Sequence, residues 1–151
     1  SRKNYISGPY PVIGGGQKPA GFHNKYNKNE NTILCSQSGS YAGFISKYKT
    51  KTWASDCFSI NSKNNNILQE TYLYYLLKNI QTNIYKLQTG AGQPHIYTKT
   101  ISNVNIPIPS IKKQKEIVQY LDELEKEKNE IDIKITKIKE LMKSILEQSY
   151  Q

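Results

Sequence analysis

Cysteine is scarce in this 151-residue chain, and so is negative charge over most of its length. Two cysteines, Cys35 and Cys57, are too few for a disulfide framework, and their spacing suits neither a redox CxxC pair nor a zinc site. His23 and His95 are the only histidines and lack a second pair of ligands, so a metal centre is not expected. No apolar run approaches the roughly 20 residues of a membrane-spanning helix, and the opening residues do not read as a secretory leader. With reduced thiols, this describes a cytoplasmic protein with no membrane partner. The one methionine is Met142, so Ser1 does not read as a native start and a longer parent protein is expected. Phosphate-binding signatures are absent too: Gly14-Gly15-Gly16 lacks the GK[ST] ending of a P-loop, and Gly90-Ala91-Gly92 lacks the third glycine of a dinucleotide fingerprint.

What is present is positive charge in one place. The chain holds 21 basic and 12 acidic side chains, and the segment from Lys112 onward holds nine of each. Residues 1–111 therefore keep twelve basic and three acidic groups (Glu30, Asp56 and Glu70), and with them the entire net charge of +9. A cationic head joined to a neutral tail favours a polyanionic partner, and nucleic acid is the common one. Hydrophobic residues at 36% and twelve tyrosines are enough to build a core, which excludes simple disorder.

The tail has the clearest pattern. Ile117, Leu121, Leu124, Lys128, Ile131, Ile135, Ile138, Met142 and Ile145 follow steps of four and three, a heptad repeat with one lysine in the apolar seam. No glycine or proline interrupts it after Pro109, and Ser110 is a suitable N-cap. A helix over about 112–148 is too long to bury this stripe on a small head and needs a second long helix.

The head alternates short strands with one amphipathic helix. Strands are expected at 10–13, 32–37, 41–46, 53–61 and 101–106, and a helix at 66–87 opened by an Asn66/Gln69 capping box. The result is an α+β fold: a mixed β-sheet head with one amphipathic helix, followed by a long C-terminal coiled-coil helix. The boundary falls between residues 1–109 and 110–151.

Five stretches in this order resemble a known family. They are 10–27 (YPVIGGGQKPAGFHNKYN), 33–43 (ILCSQSGSYAG), 53–60 (WASDCFSI), 90–96 (GAGQPHI) and 106–117 (IPIPSIKKQKEI) leading into the heptad helix. Together they resemble the target recognition domain and helical spacer of a Type I restriction-modification specificity (S) subunit, with Gln37 standing where many members carry Arg and Lys113 where they carry Glu. The resemblance implies a non-catalytic subunit that binds double-stranded DNA. Separate methyltransferase subunits would use S-adenosylmethionine, so no cofactor is expected in this chain, and a restriction subunit would cut. It further implies two recognition domains per subunit, of which this chain is one half, with paired antiparallel spacer helices.

Residues 1–109 are thus expected to be the recognition domain and 110–151 the spacer and dimerisation arm. Polar side chains beside glycines are the DNA-contact candidates: Gln17 and Lys18, then Gln37, Ser38 and Ser40, then Gln93 and His95. Lys47, Lys49 and Lys51 share one face if their segment is extended, and would contact phosphates. Leu121, Leu124, Lys128, Ile131, Ile135, Ile138, Met142 and Ile145 are expected to pair with a second half-subunit or with a second copy. Two other function classes stay open: a non-catalytic scaffold whose head meets RNA or another polyanion, and a cysteine hydrolase using Cys35 and His95.

Overall fold

A computed structural model describes residues 7–150. β1 (Tyr10–Ile13) pairs antiparallel with β2 (Gly21–His23) and parallel with β5 (Trp53–Ala54), giving one three-stranded sheet. β3 (Ile33–Ser36) lies between β4 (Ile45–Lys47) and β6 (Cys57–Ile60), antiparallel to both, and forms a second. All four β3 residues are buried, the apolar Ile33, Leu34 and Cys35 with the polar Ser36, so the strand has no solvent-facing alternation. The single strand expected at 53–61 is instead two strands in two sheets. The bend falls at Ser55 and Asp56: the Ser55 N–H donates to the Ile13 carbonyl at the end of β1 (2.8 Å), while the Asp56 carbonyl accepts the Gln37 N–H just past β3 (3.0 Å).

One apolar cluster holds the second sheet to the helices. Ile33, Cys35 and Ile45 from the sheet meet Leu73 and Leu77 of α1 (Glu70–Asn79), Ile84 of α2 (Gln81–Tyr85) and Ile101 of α3 (Thr98–Ser102). The expected helix at 66–87 is therefore shorter and interrupted at Ile80. Gln81, first after the break, accepts the Ile45 N–H (2.9 Å) and donates to the Gly43 carbonyl (2.8 Å), so a tertiary demand displaces helical continuity. The capping box does not form, because the Asn66 N–H goes to Asn64 Oδ1 and the Gln69 N–H goes to the arm. The strand expected at 41–46 is reduced to Ile45–Lys47. Gly43 stands at φ 88° within 2.8 Å of Ile84 for any added Cβ, a turn only glycine accommodates. The last expected strand, 101–106, is absent; α3 takes its first two residues, with Ile101 buried and the Val104 N–H turned back onto the Ile101 carbonyl (3.1 Å).

The arm is α4 (Ile111–Ser149), 39 residues and about 58 Å at 1.5 Å per residue. Ser110 caps it as expected, accepting the Lys113 N–H at 3.3 Å. Its first turns carry two different faces. At 100° per residue, Gln114, Val118, Asp122 and Glu125 line one side, and this side meets α1: Val118 is buried, and the Tyr75 hydroxyl sits between the Asp122 and Glu125 carboxylates. Burial and those two carboxylates push the Tyr75 phenol up. The heptad stripe diverges from this contact past Leu121 and is exposed from Leu124 onward.

Gln114 is the joint between arm and head. It is fully buried, its Oε1 accepts the Gln69 N–H (2.8 Å), and its Nε2 donates to the Ile67 and Pro109 carbonyls (2.8 Å each). No shorter or apolar side chain satisfies all three backbone groups. Gln114→Ala should lower stability by about 3 kcal/mol, at roughly 1–3 kcal/mol for each buried group left without a partner. Denaturant unfolding followed by Trp53 fluorescence measures it, and an unchanged midpoint would show that the joint contributes nothing.

Candidate functional site

Three loops from distant parts of the sequence meet at one end of the sheets. The turn 37–40 follows β3, and the Ile96 N–H donates to the Gln37 carbonyl (3.0 Å) while the Gly39 N–H donates to the Pro94 carbonyl (2.9 Å). The 89–95 loop is closed on itself by a reciprocal pair between Thr89 and His95 (2.9 and 2.7 Å) and tethered by Gln88, whose amide donates to the Ala42 carbonyl (2.7 Å). The third loop, 14–18, reaches the same turn through Gly15. A Cβ there would come within 2.5 Å of the Ser38 carbonyl oxygen, so the two backbones approach more closely than any side chain allows.

The sequence-predicted residues divide accordingly. Gln37, Ser38, Ser40, Gln93 and His95 share the 37–40 and 93–95 contact, and Gln17 and Lys18 follow Gly15 in the third loop. Gln17, Lys18, Gln37, Ser40 and Gln93 are exposed, whereas Ser38 and His95 are half-buried. His95 also stacks with the exposed ring of Tyr97, centroids 6.3 Å apart. The three lysines are not on one extended face. The chain bends at Lys49 and Thr50. Lys47 lies 4.4 Å over the Tyr74 ring of α1, and burial lowers its pKa against the opposing pull of Asp122 and Glu125. Lys51 instead lies 4.3 Å over Tyr26 and donates to its hydroxyl (3.2 Å). Only Lys49 is left at the exposed bend.

One participant escaped the sequence reading. Asp56, at the crossing between the sheets, accepts the Ser38 hydroxyl on Oδ2 and the Gln37 N–H on its carbonyl. Its only sequence signal was its being one of three acids in the head.

The thiol–imidazole pair is not a nucleophile and base. Cys35 is completely buried within β3, and its thiol contacts the Ser36 carbonyl (3.7 Å). Burial, with a smaller push from Cys57, raises its pKa to about 12. Burial and then the Asp56 charge raise Cys57 to about 11. His23 is likewise structural, stacked on Trp53 at 4.5 Å with Nδ1 accepting the Lys25 N–H. Among the described residues no three His, Cys, Asp or Glu side chains stand together as a metal site, and no helix is long and apolar enough to cross a membrane. The two apolar cavities beside α3, about 550 and 800 Å³, are lined by none of the candidate residues. The site is a polar surface, not a pocket.

The arm presents the heptad stripe to solvent. Leu121 is half-buried at the head, but exposure runs from 41% at Leu124 to 64% at Ile145, with Ile131, Ile135, Ile138 and Met142 between. Lys128 pairs within its own helix, 3.0 Å from Asp132.

Residues 2–142 match the family described as Type I restriction modification DNA specificity domain. The Type I restriction enzyme MjaVIII specificity subunit of Methanocaldococcus jannaschii is 33% identical over 129 residues, covering 80% of this chain and 30% of that protein. The crystal structure of a Type I restriction-modification S subunit from M. genitalium superposes with a TM-score of 0.76 at 22% identity, over 83% of this chain and 34% of that one. A chain from a study of complex assembly and conformational transition in the type I R-M system gives 0.61 at 19% identity, over 82% and 33%. This chain spans about a third of the length of each of these relatives.

The raised thiol pKa values carry a direct consequence. A thiol reacts as thiolate, so alkylation by iodoacetamide should be slow at pH 8 in the folded chain and should quicken at Cys57 only as the pH nears 11. Rapid labelling of Cys35 at pH 8, without unfolding, would contradict its placement.

Proposed function

This chain belongs to the Type I restriction modification DNA specificity family, and we propose that it is a sequence-specific double-stranded DNA-binding half of a specificity subunit. Residues 1–109 serve as the target recognition domain, and residues 110–151 as the spacer and dimerisation arm. The subunit does no chemistry of its own; it directs methyltransferase and restriction subunits to the target. The observation that carries this reading is the meeting of three polar loops on one surface of a head that holds twelve basic and three acidic groups.

The chemistry of those loops suits a base edge. Glutamine offers one acceptor and one donor group at the spacing of the adenine N6/N7 edge, and each well-made bidentate pair is worth about 1–3 kcal/mol of discrimination. Serine hydroxyls and the His95 imidazole add single contacts, while Lys18 and Lys49 reach phosphates and add affinity without sequence choice. Lys47 and Lys51, resting on tyrosine rings, hold their charge close to the head and shape its field. The arm's open stripe suits a second helix of the same kind, from the other half-subunit or from a second copy in an antiparallel pair. A 39-residue helix then sets the distance between two heads and so between two half-sites.

Gln37→Ala and Gln93→Ala should each reduce the free-energy difference between specific and random-duplex binding by about 1–3 kcal/mol while leaving the dependence on salt unchanged. The specific duplex is obtained by selection from a randomised pool. Equal binding of wild type and both variants to specific and random duplex, or preference for an RNA competitor, would reject the reading.

Pairing through the arm is tested separately. Leu124→Asp with Ile135→Asp should leave the head folded and abolish helix pairing, since each change sets a charge in an apolar seam. Sedimentation of the full chain with and without the two changes measures this; identical sedimentation of both forms, with or without the partner half, would refute a pairing role.

A further inference from the structure

Asp56 is out of place in a head that must approach phosphates. Of the three head carboxylates, Glu30 lies in the turn before β3 and Glu70 opens α1, but Asp56 sits among the three loops themselves. Coulomb repulsion with a polyanion disfavours a carboxylate there, and a neutral polar side chain would bind DNA more tightly on charge alone. What the carboxylate supplies is a charge-assisted hydrogen bond, about twice as strong as a neutral one. It is placed on Ser38, between two of the proposed base-contacting positions, Gln37 and Ser40.

The surrounding backbone is shaped to admit it. Asp56 Oδ2 stands 3.2 Å from where a Cβ on Gly15 would be, and the same Cβ would fall 2.5 Å from the Ser38 carbonyl oxygen. The middle glycine of the triple-glycine run therefore leaves room for the carboxylate and the turn together. The Asp56 carbonyl fixes the Gln37 N–H from the same side (3.0 Å), and the far side of the turn is fixed by Pro94 and Ile96 (2.9 and 3.0 Å). The turn is thus held on one side by Asp56, through the Gln37 N–H and the Ser38 hydroxyl, and on the other by the 94–96 segment.

We propose that Asp56 is a positioning residue for base readout: its carboxylate holds the Ser38 hydroxyl and so sets the level at which the Gln37 and Ser38 side chains meet the edges of the bases. The assignment rests on the DNA-recognition reading above. It requires an acceptor at this position, and the negative charge is tolerated for the strength of the bond it makes.

Asparagine keeps a carbonyl acceptor for Ser38 and removes the charge, whereas alanine removes both. The full chain in its natural pairing is assayed on the duplex selected from a randomised pool and on random duplex, wild type beside Asp56→Ala and Asp56→Asn. Both variants should bind random duplex about two- to threefold more tightly, because one repulsive charge is gone. Asp56→Ala should lose about tenfold or more in discrimination, the scale of one misplaced base contact, and Asp56→Asn should stay within about threefold of wild type because its acceptor remains. Loss in alanine with rescue by asparagine supports positioning. Equal discrimination in all three forms overturns it, and so does equal loss in both variants, which would assign the effect to charge. Should Asp56→Ala fail to fold, Asp56→Ser takes its place, since its shorter side chain stays polar but falls short of Ser38. If wild type itself selects no sequence, the recognition reading fails and this assignment with it; if wild type selects and Asp56→Ala selects equally well, only the assignment fails.

Discussion

Two neighbouring residues, Ser55 and Asp56, are hydrogen-bonded into two different sheets, and the arrangement of the head depends on that crossing. Ser55 closes onto the end of β1 and Asp56 onto the end of β3, so the loops leaving those two strands emerge side by side. The 14–18 loop and the 37–40 turn are then close enough that glycine is needed between them. The pairing of Ile96 with Gln37 brings in the third loop. A polar surface assembled in this way has its backbone hydrogen-bonded between loops while Gln17, Lys18, Gln37, Ser40 and Gln93 stay exposed.

The arm obeys a different constraint. It presents one face to α1, centred on Gln114 and Val118, and a second face, the heptad stripe, to solvent. The first face rests on Gln114, whose amide meets three backbone groups, and such a joint fixes geometry because any rotation leaves those groups without partners. The second face is apolar except at Lys128, and apolar side chains demand burial without dictating which helix supplies it. One helix therefore holds a fixed angle to its own head and remains open to a partner. Tyr75, between Asp122 and Glu125, extends the fixed joint one turn further along.

The arm was the most legible part of the sequence. Its seven-residue period gives a helix over about 112–148 against Ile111–Ser149 observed, because a heptad repeat depends on nothing outside itself. β1 and β3 were legible for the same reason, as short apolar runs bounded by glycine and polar turns. Elements whose course depends on tertiary partners were not. The interruption at Ile80 serves Gln81, the lost capping box serves Gln114, and α3 ends at Ile101 and Ser102 where a strand was expected to begin. The glycine-flanked polar residues stand out in the sequence, but the meeting of their loops does not, since Gln37 and Ile96 pair across most of the head. Lys47 and Lys51 resemble any surface lysines in sequence; only the fold lays them on Tyr74 and Tyr26. Asp56 looked like an incidental acid because its partners lie in other strands.

Amide hydrogen exchange of the full chain, free and bound to its selected duplex, tests the central claim most directly. The account predicts that binding slows exchange in 14–18, 37–40 and 93–96, where the three loops meet, and leaves the apolar groove beside α3, from Phe58 to Ser62 and from Thr98 to Ile106, unchanged. Protection confined to that groove, with the three loops exchanging as freely as before, would contradict it.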